Sequence, residues 1–112
     1  MAYTSVCPAD AVREGGMGFF RAGKKSVLVL WPTGGELAAY RGRCPHADVP
    51  LDEATFDGET VTCPHHAWGF SATTGKCVTH LVRNSLHNYP LRVEGGEIQV
   101  DLGPGRTVSA SA

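Results

Sequence analysis

Two short motifs carry the residue types able to do chemistry. Cys44-Pro45-His46 and Cys63-Pro64-His65-His66 each set a thiol close to an imidazole, and sixteen residues, 47 to 62, separate them. Thiolate is a soft anionic ligand and imidazole a neutral borderline one, so two of each suit zinc or iron held with sulfide. Zinc sites commonly pair Cys with Cys and His with His along the chain; here each motif is mixed. In an iron–sulfide cluster the mixture has an electrical consequence. Two ferric ions, two sulfides and two thiolates sum to zero when the other ligands are neutral, so histidine ligation eases addition of an electron and raises the potential. The second motif offers two imidazoles: His65 repeats the Cys-x-His spacing of the first, and His66 gives Cys-x-x-His.

The remaining sequence must position these groups. A chain of 112 residues fits one domain. Its 42% hydrophobic and 19% charged content is that of a folded protein. Fourteen glycines and seven prolines favour short strands and turns over long helices. Strands are expected at 3–7, 17–21, 26–31, 36–40, 60–62, 68–71, 89–93 and 98–102, with a helical turn at 8–12. The run 27–31 is apolar throughout, as in a strand buried on both faces. Residues 42–78 break the strand rhythm: Pro45, Pro50 and Pro64 remove backbone donors, and Gly58, Gly69 and Gly75 allow tight turns. The expected class is therefore all-β, one domain over 1–112. A scaffold at about 1–41 and 79–102 carries an inserted metal-binding subdomain at about 42–78, and 103–112 forms a frayed tail.

Charge and composition exclude several functions. The net charge is about −1, leaving no global basic field for nucleic acid. Residues 44–75 nevertheless hold five acids (Asp48, Asp52, Glu53, Asp57, Glu59) and no Lys or Arg, which makes an acidic docking face one reading of that segment. The opening Met1-Ala2-Tyr3-Thr4-Ser5 lacks a basic n-region and an apolar h-region, and no apolar run approaches membrane-spanning length. A cytoplasmic protein follows, and in that compartment four cysteines point to metal or redox chemistry before disulfides. Cys7 and Cys77 stand outside the motifs and are expected as free, buried thiols. His80 and His87 are expected at the surface or in hydrogen bonds. No phosphate loop, dinucleotide fingerprint or nucleophile setting is present, so no catalytic residue is assigned.

On Cys44-Pro45-His46, Cys63-Pro64-His65-His66, Trp68-Gly69-Phe70 and the Thr74-Gly75-Lys76 turn, the sequence resembles the Rieske ferredoxin family over about residues 3–102. The resemblance implies a Rieske-type antiparallel β-sandwich and one 2Fe–2S cluster. It implies Cys44 and Cys63 on an inner iron, and His46 and His66 on an outer iron close to solvent. The family's longer spacing in the second loop is what selects His66 over His65. The details Cys-Pro-His-Ala-Asp at 44–48, Trp68 and Tyr89-Pro90 look most like the ferredoxin components of bacterial multicomponent diiron monooxygenases acting on toluene, alkenes or isoprene. Aromatic ring-hydroxylating dioxygenases have similar ferredoxins and supply the alternative reading. A structural zinc module or an iron–sulfur redox sensor is the third.

The implied partners are an NADH-dependent flavin or iron–sulfur reductase as donor and an oxygenase or diiron hydroxylase as acceptor. The protein would be a monomeric one-electron carrier that does not itself act on the organic substrate. Docking would centre on Pro45, Ala47, Pro64, His65, Ala67 and Trp68. High-potential relatives carry an extra cysteine in each loop and hydroxyls after the last ligand. Val49, His65, Trp68 and Phe70 stand at those places here, so the resemblance implies a potential of about −150 mV, the low end of the Rieske range.

Overall fold

The computed structural model describes residues 3–22, 25–44, 50–64, 68–79 and 85–102. Among the described residues ten strands build three antiparallel sheets. The first holds β1 (Tyr3–Pro8), β10 (Glu97–Asp101) and β9 (Leu91–Glu94), in the order β1-β10-β9. The second is β2 (Met17–Ala22), β3 (Lys25–Leu30), β4 (Ala38–Arg41) and β8 (Asn88–Tyr89). The third is β5 (Thr55–Phe56), β6 (Thr60–Thr62) and β7 (Gly69–Ser71). A 3-10 turn at Ala9–Ala11 follows β1. The class is all-β, as the glycine and proline content and the short apolar runs imply.

Strand β3 explains how the layers meet. Its side chains alternate across the sheet, and Val27, Leu28, Val29 and Leu30 are all fully buried. Val27 and Val29 join Ala39, Tyr89, Ile98 and Val100 in a core cluster shared with the first sheet. Leu28 and Leu30 join Tyr40, Val61, Phe70 and Leu86 in a second cluster shared with the third sheet. One apolar strand therefore supplies both cores. Each such side chain contributes roughly 1.5–3 kcal/mol on burial.

Three sequence expectations are corrected. Residues 89–93 do not form one strand. Pro90 has no N–H to continue a ladder; Tyr89 pairs with Ala39 in the second sheet, while Leu91 pairs with Val100 in the first. The chain thus changes sheets at that proline. Trp31 lies beyond β3 and is half-buried, its indole N–H donating to the Gly35 carbonyl at 3.0 Å. Gly69 is in strand β7 and shows no positive φ, unlike Gly58 (φ 101°) and Gly75 (φ 79°), which do form turns. The short strand β5 was not expected.

Candidate metal centre

The two motifs begin at two pinned loop roots. Strand β4 runs into Gly42, Arg43 and Cys44. Gly42 donates its N–H to the Ser26 carbonyl and accepts at its own carbonyl from Leu51 N–H, both at 2.9 Å. Arg43 bridges to Pro50. A Cβ at position 42 would fall 2.8 Å from both the Phe19 ring and the Ser26 hydroxyl, so only glycine lets this root sit on the second sheet. The second root lies at the closed end of the β6–β7 hairpin, at the base of its connecting loop, where Cys63 N–H donates to the Trp68 carbonyl at 2.8 Å. Gly69, next in the chain, donates to the Thr79 hydroxyl at 2.9 Å and accepts from Val78 N–H at 2.8 Å.

Each root carries a cysteine. Cys44 and Cys63 are each 1% exposed, neither forms a disulfide, and both belong to the core cluster of Leu28, Tyr40 and Phe70. Of the motif residues, Pro64 is exposed, and Trp68 is half-buried and packs against that cluster. Pro45, His46, Ala47, His65, His66 and Ala67 lie outside the described residues, as do Asp48, Val49 and His80. Among the described residues no three His, Cys, Asp or Glu side chains converge as a rival metal-holding group.

Two soft thiol donors, free of any disulfide and held in one apolar core at the feet of two loops, fit an iron–sulfide cluster. The cluster, when bound, supplies a one-electron couple. The polypeptide's part is to hold the sulfur side dry. The apolar cluster around Cys44 and Cys63 keeps water from that side.

The remaining thiols are separate from this arrangement. Cys7 is buried in the other core cluster, and burial raises its pKa. Cys77 is half-buried and packs against the core cluster that holds Cys44 and Cys63, 3.7 Å from the Thr79 hydroxyl. His87 is exposed and meets Tyr89 edge to face.

The acidic segment gains one specific feature. The Asp57 carboxylate accepts from Glu59 N–H at 2.9 Å and from Thr60 N–H at 2.8 Å, closing the β5–β6 turn. The Thr60 and then the Glu59 backbone bonds lower its pKa from the ordinary 3.8. With the folded value below the unfolded one, this charge stabilises the fold above the unfolded pKa, and the contribution is lost as pH falls through the folded pKa. Asp57→Asn keeps an acceptor oxygen but removes the charge. Denaturation profiles of the two proteins are expected to differ at neutral pH and to converge at acid pH below the folded value. Parallel profiles would contradict the sign.

An all-β scaffold that offers buried thiols at the feet of paired loops fits a small iron–sulfur protein. The chain belongs to the Rieske [2Fe-2S] domain family, whose model matches residues 2–90. Its cofactor is accordingly one 2Fe–2S cluster with cysteine and histidine ligands, which sets the zinc reading aside. The ferredoxin subunit of 3-phenylpropionate/cinnamic acid dioxygenase from Escherichia coli K12 is 38% identical over 97 residues, covering 86% of this chain and 90% of that protein. The ferredoxin of carbazole 1,9a-dioxygenase from Nocardioides aromaticivorans IC177 superposes with a TM-score of 0.75 at 26% identity, over 89% of this chain and 97% of that one. A chain in a complex of reduced oxygenase and oxidised ferredoxin of carbazole 1,9a-dioxygenase matches with a TM-score of 0.74 at 27% identity, over 88% of this chain and 91% of that one. The protein is an electron carrier rather than a catalyst.

One contributor was missed from the sequence. Tyr40 is 1% exposed, and its hydroxyl donates to the Ala72 carbonyl at 2.8 Å inside the core cluster that holds Cys44 and Cys63. A tyrosine in an otherwise apolar, buried stretch signals such a partner, because a buried hydroxyl needs one.

Proposed function

We propose that this ferredoxin carries single electrons from an NADH-dependent reductase to the terminal oxygenase of an aromatic ring-hydroxylating dioxygenase. Cys44, His46, Cys63 and His66 hold its cluster, the cysteines on the core side. The near full-length likeness to a dioxygenase ferredoxin subunit carries this reading and favours it over a diiron monooxygenase partner. A carrier fed from NADH works where NADH is, in the cytoplasm, and works as a monomer.

Residues 42–78 act as the cluster-binding subdomain, the stretches 1–41 and 79–102 as its scaffold, and 103–112 as a tail. The oxygenase docks on the loop end, at Pro45, Ala47, Pro64, His65, Ala67 and Trp68. Transient redox partners meet over less than about 1,200 Å², so an exposed Pro64 and a partly accessible Trp68 suffice as an apolar centre.

The test is reconstitution. Purified ferredoxin and an NADH-dependent reductase are combined in parallel with a ring-hydroxylating dioxygenase and with a diiron hydroxylase, and substrate turnover is measured. Turnover is expected with the dioxygenase, at least about tenfold above the other pairing if docking differs by about 1.4 kcal/mol. Preference for the diiron hydroxylase would reverse the assignment.

A further inference from the structure

The two ligand loops rise from different parts of the chain, and something must set the spacing between them. The first loop follows β4, so Cys44 lies four residues after Tyr40. The second loop connects β6 to β7 and is held at its base by the Cys63–Trp68 bond. The opposite end of that hairpin is where Tyr40 makes contact. Ala72 is bound twice there: its N–H donates to the Glu59 carbonyl at 2.9 Å, and its carbonyl accepts the Tyr40 hydroxyl at 2.8 Å.

Gly75 completes the fit. A Cβ at this position would lie 3.0 Å from Tyr40 Cε1 and 3.1 Å from the Leu86 carbonyl, and its φ of 79° also favours glycine. The turn is held by Gly75 N–H to the Ser71 carbonyl and by Leu86 N–H to the Gly75 carbonyl, both at 2.7 Å. Tyr40 therefore meets a hairpin end with little freedom to move.

We infer that Tyr40 is a positioning residue for the cluster: its hydroxyl ties the strand leading to Cys44 to the hairpin presenting Cys63, and so fixes the distance between the two sulfur ligands. The inference rests on the proposed ligand set. Burial raises the Tyr40 pKa, which keeps the hydroxyl protonated as a donor. Without the bond, the Ala72 carbonyl stays buried and unpaired. The hairpin can then rock on β4, and the cysteine spacing spreads over a range.

Tyr40→Phe keeps the ring and removes only the donor. The comparison is Ile98→Val, a change of similar stability cost in the other core cluster. Circular dichroism melts of both variants confirm folding. Tyr40→Phe is expected to broaden the EPR lines of the reduced cluster and to speed cluster loss to a chelator by about five- to tenfold. Ile98→Val is expected to keep wild-type line widths. Wild-type lines in Tyr40→Phe, with cluster loss no faster than in Ile98→Val, would overturn the positioning role. A Rieske-type signal that survives serine at Cys44 or Cys63 would instead overturn the ligand set, and the inference with it.

Discussion

Serine in place of Cys44 or Cys63 is expected to give a colourless protein without acid-labile sulfide, with electron delivery reduced to background. Both thiols are almost completely withdrawn from solvent, and neither is spent in a disulfide. A serine hydroxyl is a harder and weaker ligand for iron than thiolate. It also leaves a polar group in an apolar cluster, at a cost of about 1–3 kcal/mol when unpaired. Loss of the cluster and loss of stability should therefore appear together. Iron and sulfide assays, visible absorption and a thermal melt on the same sample read out both. Serine at Cys7 serves as the contrast, because that thiol packs in the other core cluster and should leave iron content unchanged. Retention of a full cluster in either ligand variant would remove that cysteine from the ligand set.

Truncating Phe70 to alanine is expected to lower Tm by about 10–20 °C, from a cost of about 3–5 kcal/mol. The ring is 1% exposed, on β7 between the second ligand loop and the hairpin end that Tyr40 holds. It belongs to the same cluster as Leu28, Cys44 and Cys63, so the cavity opens in the core that holds both thiols. A small domain has only about 5–15 kcal/mol of stability in total. The variant should consequently lose its cluster at temperatures the parent protein tolerates. Melts of cluster-free and cluster-bound protein, followed by far-ultraviolet dichroism and by cluster colour, measure the two losses separately. A shift below about 3 °C would mean that Phe70 is not packed as described.

How much of this was legible in the sequence depended on range. The proposed ligand cysteines stand out because the motifs are local: a thiol, a proline and an imidazole within three or four residues. The turn at Gly75 was legible for the same reason, since a single residue with positive φ closes it. The double burial of 27–30 followed from an unbroken apolar run. Sheet membership was less accessible. Tyr89 and Leu91 are two residues apart yet pair in different sheets, and that outcome depends on Ala39 and Val100, far away in the chain. No local pattern marks Gly42. Only the approach of Phe19 and Ser26 shows why a side chain cannot stand there. Tyr40 was overlooked because its partner is a backbone carbonyl, and carbonyls leave no trace in composition.

The pairing of β1 with β10 has a consequence for how the molecule is made. Tyr3 lies opposite Asp101, so the first sheet joins nearly the two ends of the described chain. Pairings of such long sequence separation are slow, because the loop between them must close first. During synthesis, β1 waits without its partner until residue 101 has left the ribosome. The buried residues around Cys44 and Cys63 run only from Leu28 to Leu86, and all of them emerge before β10. The half proposed to receive iron thus has all the described residues of its core cluster while the other half still lacks its closing strand. The order in which the chain emerges favours assembly of the redox end first.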